Sequence, residues 1–470
     1  MREPGGGPTR AAASIDGELG VSAGPEFVAA LTDIARRTPP AISRFRHRVR
    51  NLVLVCSSSR GGSSVFAEML RHSDDLLHFR AEINPFFVLS GLSWPQSGTG
   101  SDLLHAHHAA RADALDFWLS WDVGGQAERL RDDAELDRFA VHLTWRLQAQ
   151  WPEERFEIDE VHQRAVEVLR EPKENHPGIE SPQHFHICFL KRLRLAHPRV
   201  NPHYYDLDPA LIRRLDPDAP LPEGPPSGFL IEEPPFVATM PWAVPTAEEI
   251  ESRPLVIKTP SNVYRLPFFR AFFPNARIRV LHLTRHAADC INGLYDGWRY
   301  RGFFSHPVQP ALAGRELRIG SYSDEQPAWG GSWWNFDLPP GWQDWIDAPL
   351  EEVCAFQWRS AHEAVLDWVR STDSAEYLRV SFEESVLAPP AKRRELFERL
   401  AAWIGVPYRG PLARAVEAGL PPIMAMAPPR RERWRARAEL IEPLLRESAT
   451  RELLARLGYE VPARQSGGGV

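Results

Sequence analysis

Short apolar runs followed by helix-patterned segments mark two regions of this sequence. In the first region, the apolar residues 52–55 precede a polar turn at 57–64, and apolar side chains from Val65 to Leu70 then recur at helical spacing. A short continuous apolar run is typical of a strand that is buried on both faces of a sheet. The pattern therefore predicts a strand, a loop and a helix in succession.

The second region continues this alternation toward the end of the chain. Its predicted elements, in chain order, are a strand at 255–257, a helix at 263–273, a strand at 278–283, a helix at 288–295, a strand at 377–382, and helices at 392–404 and 435–457. Strands that alternate with helices at this spacing predict a parallel sheet with helices packed on it. The expected fold class is therefore α/β, with a central parallel sheet flanked by helices.

Residues 97–251 separate the two regions and mix helix-patterned segments with proline-rich stretches. This mixture predicts a mostly helical and irregular insertion between two parts of one core, 48–96 and 252–464. The whole of 25–464 is expected to form a single domain. Two terminal tails are predicted to be disordered: residues 1–24, which are rich in Gly, Ala and Pro, and residues 465–470.

Composition restricts the classes of function. The chain has 470 residues, 43% of them hydrophobic, and a net charge of −7, so any anion site must be a local basic pocket rather than a basic surface for nucleic acid. The four cysteines are widely spaced, which argues against a zinc ribbon and a disulfide scaffold. No apolar run reaches the ~18 residues of a membrane span, and no signal-peptide core precedes residue 24. These features predict a cytoplasmic protein without a membrane span.

The polar turn after the first strand has the chemistry of an anion site. Gly61 and Gly62 allow close approach of the backbone to a ligand, and the following helix begins with the hydroxyls of Ser63 and Ser64. Arg60 adds a fixed positive charge and a planar set of donors. The nucleoside-triphosphate loop ends in Gly-Lys-Ser/Thr, and this turn has no lysine. Taken alone, the turn is equally consistent with a structural helix cap.

At residues 59–70 the sequence resembles the 5′-phosphosulfate loop of sulfotransferases that use 3′-phosphoadenosine 5′-phosphosulfate (PAPS). It is most similar to the branch that contains the tyrosylprotein and heparan sulfate sulfotransferases, where an arginine precedes the small residues. The resemblance implies a P-loop-like three-layer fold. It also implies that five residues hold the 5′-phosphate: Arg60, Gly61, Gly62, Ser63 and Ser64.

A longer match extends from Lys258 to Arg285 and resembles the central segment of the same family. It implies that Arg285 binds the 3′-phosphate of the cofactor. The family has a serine eight residues later, but this chain has Gly293, so the neighbouring Asn292 or the Gly293 N–H is expected to donate instead. The match resumes near the end of the chain, and there it assigns Arg433 to the cofactor.

Sulfuryl transfer to an alcohol needs a base for the hydroxyl proton and cations for the charge that develops on the leaving phosphate. The resemblance implies Glu82 as the base, with His78 as the rival because other branches of the family use a histidine. Lys258 and Arg60 are expected to stabilise charge. No metal is expected.

An aromatic-rich segment at 298–345 follows the expected 3′-phosphate site, and it either stacks on an acceptor ring or forms the core of an insertion. The insertion 97–251 is expected to act as a lid or an acceptor-binding subdomain. The predicted function is a sulfotransferase that moves the sulfuryl group of PAPS to a hydroxyl of a small metabolite, a sugar or a peptide. The alternatives are a P-loop kinase-like enzyme and a non-catalytic nucleotide-binding protein, and the oligomeric state stays open.

Overall fold

The structure is a computed structural model, and it describes most of the chain. The described residues are 24–38, 42–126, 130, 132–171, 179, 181–371, 376–421, 423 and 432–461. The two predicted tails therefore lie outside the described residues, apart from Gly24. All four cysteines are described, and none of them forms a disulfide.

The strands are short except at the centre of the molecule. In chain order they are β1 (Asn51–Cys56), β2 (His78–Phe79), β3 (Val123–Gln126), β4 (Trp242–Ala243), β5 (Leu255–Lys258), β6 (Arg277–Thr284), β7 (His306–Pro307), β8 (Trp333–Trp334) and β9 (Tyr377–Ser381). In the described part of the chain, four of them form one sheet in the order β5-β1-β6-β9, and every neighbouring pair is parallel. The predicted parallel sheet is confirmed.

Helices surround this sheet. They are α1 (Pro25–Ala35), α2 (Phe45–Arg48), α3 (Ser63–Arg71), α4 (Asn84–Leu89), α5 (Asp113–Asp122), α6 (Asp133–Gln150), α7 (Ile158–Leu169), α8 (Pro182–Leu193), α9 (Pro209–Leu215), α10 (Ala247–Ser252), α11 (Leu266–Phe272), α12 (Ala287–Trp298), α13 (Leu350–Ser371), α14 (Phe382–Ser385), α15 (Pro390–Ile404), α16 (Gly410–Ala418), α17 (Ala438–Arg446) and α18 (Ser448–Arg456). None of the helices in the described residues combines the length and apolar character needed to cross a membrane.

Alternate side chains of β1 enter two different apolar clusters, which explains its continuous apolar sequence. Val53 and Val55 pack with residues of α3 and α15 on one face of the sheet. Leu52 and Leu54 pack on the other face with aromatic residues of α4 and α11. Successive side chains of a strand point to opposite faces, so a strand between two helical layers must be apolar throughout. The α/β fold with helices on both faces of a parallel sheet is confirmed.

The C-terminal helices differ from the predicted boundaries. The single helix expected at 435–457 is a 3₁₀ turn at Arg433–Arg437 followed by α17 and α18, because the backbone of Glu447 is extended between them. The helix expected at 263–273 is likewise a 3₁₀ turn, Pro260–Tyr264, followed by α11. Pro267 lies in the first turn of α11, where a missing N–H leaves no hydrogen bond unmade.

The segment 97–251 is packed into the rest of the molecule. Apolar side chains of α6 and α8 share one buried cluster with side chains of α12 and α13. The short strand β3, which follows α5, pairs with β2 on one side and with β4 on the other. These pairings join the segment to the residues that precede it and connect its middle to its end. A buried ion pair between Arg146 and Glu232 fixes α6 against the proline-rich stretch.

Candidate functional site

A cavity of about 270 Å³ opens at the carboxyl ends of β1, β5 and β6. Ligands of open parallel sheets collect at this edge, because loops that follow adjacent strands meet there. The cavity is lined by nine of the residues predicted from the sequence: Arg60, Gly62, Ser63, Ser64, Glu82, Lys258, Arg285, Gly293 and Arg433. Gly61, Asn292 and His78 do not line it.

The turn between β1 and α3 depends on its glycines. Gly62 has φ +90°, and a Cβ atom there would lie 2.2 Å from the ring of Phe382. A Cβ atom at Gly61 would lie 2.2 Å from Ser57 Oγ, so a larger residue at position 61 would collide with the Ser57 side chain. Arg60 is also left-handed, with φ +61°. A non-glycine residue in this region is strained, and such strain is concentrated at ligand sites.

Arg285 follows β6 directly and holds the turn in place. Its Nη1 donates a hydrogen bond to the backbone carbonyl of Arg60 over 2.9 Å. Its guanidinium lies 4.7 Å from the centroid of the Phe382 ring. Its Nε is buried and has no hydrogen-bond partner among the described residues. The arginine therefore supports the backbone of the turn and still has a donor left for a ligand.

The cavity is basic beside this turn. The guanidinium of Arg60 lies 5.2 Å from the centroid of the Phe303 ring. Burial lowers the pKa of Arg60 to about 10, and the charges of Arg285 and Arg433 act in the same direction. Arg433 donates from Nη2 to Asp296 Oδ2 over 2.9 Å. Because the three arginines repel one another, an anion bound between them would relieve the repulsion.

The cavity has room for a side chain at Gly293, where the resembling family has a serine. A Cβ atom at Gly293 would lie 3.4 Å from Arg60 Cβ and 4.0 Å from Arg285 Nη1, which are ordinary contacts. Asn292 is buried, and its Oδ1 accepts a hydrogen bond from Arg437 Nη1 over 2.6 Å. The structure thus places Gly293 in the cavity, and it directs Asn292 toward Arg437 instead.

Lys258 links the end of β5 to both the turn and Glu82. Its Nζ donates to Glu82 Oε1 and, over 3.3 Å, to Ser64 Oγ. The Lys258 side chain is 11% exposed and that of Glu82 is 35% exposed, so the pair lies at the edge of the cavity. The structure therefore brings together the predicted base and the predicted cation.

His78 occupies a different environment. It is buried in β2, and its Nε2 has no hydrogen-bond partner in the described part of the chain. Burial and the nearby charge of Arg71 hold the pKa of His78 well below its ordinary value. The structure separates this histidine from the cavity that contains Glu82.

A second carboxyl group, Glu233, lines the same cavity and escaped the sequence analysis. Asn84 Nδ2 donates to Glu233 Oε1 over 3.1 Å, and Arg265 Nη1 orients Asn84 by donating to its Oδ1 over 2.7 Å. Burial, followed by the charge of Glu82, raises the pKa of Glu233 to about 8. The only sequence signal was a pair of acidic residues before two prolines, in a stretch that otherwise looks like a surface loop.

The aromatic segment 298–345 divides into two parts. Most of its large rings are core residues, since Trp298, Tyr322, Trp334 and Trp342 are almost fully buried. Phe303 and Phe336 instead line the cavity, with ring centroids 5.2 Å apart. Asp337 follows in the same loop and lines the cavity as well, and no sequence pattern had pointed to it.

No protein-family model and no curated protein sequence matches this chain. Three solved structures are similar to it at low identity. A sulfotransferase domain from the curacin biosynthetic pathway is 13% identical over 88% of this chain and 100% of its own, with a TM-score of 0.37. The sulfotransferase domain of the Synechococcus PCC 7002 olefin synthase is 13% identical over 88% of this chain and 98% of its own, with a TM-score of 0.33. Sulfotransferase STF1 from Mycobacterium tuberculosis H37Rv is 11% identical over 83% of this chain and 85% of its own, with a TM-score of 0.27. At these values the likeness carries no conclusion about the chemistry of this chain.

Proposed function

We propose that this protein is a sulfotransferase that moves the sulfuryl group of PAPS to a hydroxyl group of an acceptor. The observation that carries the proposal is the meeting of the Arg60–Ser64 turn, Arg285 and the Lys258–Glu82 pair in one cavity. A basic turn alone provides at most a binding site for an anion. A basic turn with a carboxylate held beside it provides both halves of a transfer reaction.

The residues present fit a nucleotide that is phosphorylated at both ends of its ribose. The start of α3, with Arg60, Ser63 and Ser64, would hold the 5′-phosphosulfate, because a helix N-terminus and a guanidinium both favour anions. The spare donor of Arg285 would serve the 3′-phosphate, with Arg433 near by. PAPS would supply the sulfuryl group and the phosphate leaving group.

Glu82 and Lys258 take complementary roles in this proposal. Lys258 contacts Ser64 of the turn, so its ammonium is positioned to neutralise charge that develops at the 5′-phosphate. Glu82 uses Oε1 to accept from Lys258, which leaves Oε2 for the acceptor hydroxyl. A carboxylate that accepts this proton while the hydroxyl oxygen attacks would act as the general base.

The insertion supports an acceptor-binding role. Six of its described residues line the cavity: Asp206, Glu232, Glu233, Pro234, Pro235 and Val237. Because α6 and α8 are packed into the shared apolar cluster, we propose that the segment forms a fixed wall of the acceptor site. The four free cysteines suit a reducing compartment, and we propose the cytoplasm.

Calorimetry with 3′,5′-ADP and with Mg-ATP, followed by transfer of label from ³⁵S-PAPS to a metabolite extract, tests the proposal. We expect 3′,5′-ADP to bind at micromolar concentration, Mg-ATP to bind at least ten-fold more weakly, and label to appear in an extract component. Preference for Mg-ATP would favour the kinase-like alternative. Binding of 3′,5′-ADP without transfer to any component would favour a non-catalytic protein.

A further inference from the structure

Asp337 is a carboxyl group inside a site that is otherwise built for anions. It is 4% exposed and lines the same cavity as Arg60 and Arg285. Ser59 Oγ donates to its Oδ1 over 2.5 Å, and Tyr264 Oη donates to its Oδ2 over 2.9 Å. Ser59 itself lines the cavity and belongs to the turn that carries Arg60.

Hydrogen bonds hold the backbone of the loop around Asp337, and those from Ser59 and Tyr264 hold its carboxyl group. Phe336 is left-handed, with φ +66°, and its N–H donates to Ser305 Oγ over 3.0 Å. The N–H of Leu338 donates to Asp102 Oδ2 over 2.9 Å. Gln357 Nε2 donates to the Asp337 carbonyl over 2.9 Å. The contact between Asp337 and Ser59 is therefore a fixed part of the site.

The number of protons decides what Ser59 offers to a ligand. A serine hydroxyl has one proton and two lone pairs. While Asp337 is ionised, the Ser59 hydroxyl donates its hydrogen bond to the carboxylate. The serine oxygen then presents only lone pairs to the cavity. When Asp337 is protonated, its O–H donates to Ser59 Oγ, and the serine proton turns to the ligand. Only the protonated carboxyl lets Ser59 donate to an anion.

The surroundings of Asp337 favour its neutral form on balance, chiefly because the carboxyl group is buried. Burial raises the pKa of Asp337 to about 6, and Asp102 adds to the shift, against the hydrogen bonds from Ser59 and Tyr264. Asp102 in turn faces Arg265 at 3.4 Å and His306 at 3.9 Å. From α12, the thiol of Cys290 lies between Ser58 and the Ser59 carbonyl. Arg60 and Arg285 lie in the same cavity and favour the ionised form.

We propose that Asp337 and Ser59 couple anion binding to the uptake of one proton: when a nucleotide phosphate binds at the turn, Asp337 takes a proton from solvent, and the phosphate accepts a hydrogen bond from the Ser59 hydroxyl. The inference rests on the proposed nucleotide site. Between the pKa of the free protein and the higher pKa of the complex, each unit of rising pH would then weaken binding up to ten-fold.

Calorimetry of 3′,5′-ADP binding between pH 6.5 and 8.5, in buffers of different ionisation enthalpy, tests the coupling. The wild-type protein should take up between 0.5 and 1 proton more than Asp337→Asn near pH 7, in order-of-magnitude terms. The asparagine variant should bind with a smaller pH dependence and more tightly at pH 8.5. Because the nucleotide is the same in both titrations, protons that its own phosphates exchange cancel in the comparison.

Tyr264→Phe keeps the test decisive if Asp337→Asn does not fold, which thermal unfolding reveals. The change removes a donor from the ionised form of Asp337, so the pH range of proton uptake should move upward. Proton uptake by a folded Asp337→Asn equal to that of the wild-type protein, or an unshifted pH range of uptake in Tyr264→Phe, would overturn the inference and leave the proposed function intact. Absence of 3′,5′-ADP binding by the wild-type protein would overturn both.

Discussion

Glu82 and Lys258 neutralise each other at the edge of the cavity, so neither acts independently of the other. Lys258 is the more buried of the two and also contacts Ser64. A bound phosphosulfate would compete with Glu82 for the lysine ammonium, because both are anionic. Release of Glu82 from this pair would leave its carboxylate available to the acceptor hydroxyl.

Replacement of Glu82 by glutamine should therefore lower turnover by about 10²-fold or more, since an amide cannot accept the proton. The affinity for 3′,5′-ADP should be kept or should rise, because glutamine no longer competes with the bound phosphate for the Lys258 ammonium. Transfer from ³⁵S-PAPS and calorimetry measure the two quantities. Glu398→Gln is the matched control, since Glu398 pairs with Arg394 on the exposed face of α15. Full activity in Glu82→Gln would remove Glu82 as the base.

Substitution of two glycines in the site should have opposite outcomes, one favourable for binding and one unfavourable for stability. Gly293→Ser should be tolerated and should strengthen 3′,5′-ADP binding several-fold, because its Cβ meets only ordinary contacts and its hydroxyl would lie near Arg285. Gly62→Ala should destabilise the protein by ~2 kcal/mol or more, because a left-handed backbone and the Phe382 ring both oppose a Cβ atom. Calorimetry and chemical unfolding give the two values. Weaker binding by a well-folded Gly293→Ser would show that the 3′-phosphate lies elsewhere.

At the scale of elements, the site depends on three strand ends that share one edge of the sheet. β1 leads into the turn, β5 ends in Lys258, and β6 is followed by Arg285. The hydrogen bond from Arg285 to the Arg60 carbonyl joins the loops that follow β1 and β6. The geometry of the turn after β1 therefore depends partly on Arg285, which follows β6.

Arg285→Lys should lose most of the affinity for 3′,5′-ADP, about ten-fold or more, even though the positive charge is kept. A lysine has no planar fork, so it cannot hold the Arg60 carbonyl and donate to a phosphate in the same plane. Arg285→Ala should weaken binding at least as much. Calorimetry measures both variants, and Arg394→Lys on α15 is the control. Wild-type affinity in Arg285→Lys would mean that charge alone is needed there.

At the scale of the whole molecule, buried ionisable groups are expected to limit stability on both sides of neutrality. Seven histidines of the described residues are buried and have lowered pKa values, mainly because of burial: His78, His108, His142, His186, His282, His306 and His362. The pKa of His186 falls to about 4 and that of His362 to about 3. Glu233 has the opposite shift, with its pKa raised to about 8.

The free energy of unfolding should therefore be greatest near pH 7, where the protons still bound by the unfolded histidines balance the proton that folded Glu233 keeps. Below that value the unfolded chain binds protons that the folded histidines refuse, so stability falls as pH falls, by up to about 1.4 kcal/mol per pH unit for each histidine. Between about pH 7 and 8 the folded protein keeps a proton on Glu233 that the unfolded chain has lost, so stability falls as pH rises. Urea unfolding across pH 5–8 measures the profile, and Glu233→Gln should flatten its alkaline side. A stability that rises steadily from pH 6.5 to 8 would contradict this account.

The order of elements could be predicted from the sequence because it depends on local patterns. The apolar residues 52–55 and 278–283 identified β1 and β6 since a strand between two helical layers is apolar on both faces. The turn at Arg60–Ser64 and the position of Arg285 at a strand end could be predicted as well, because each follows one of these apolar runs. The break at Glu447 was not, because the helical pattern continues through it.

The sequence alone determined the four strands of the central sheet, their parallel arrangement and the residues that follow their carboxyl ends, because side-chain periodicity and turn chemistry act over a few neighbouring residues. Only the tertiary structure decided which distant side chains face one cavity. It joined Glu233 from the insertion and Asp337 from the aromatic loop to the predicted residues, and it left His78 and Asn292 outside. These placements depend on packing between segments that are distant along the chain, as in the contact between Ser59 and Asp337, and no local pattern encodes such contacts.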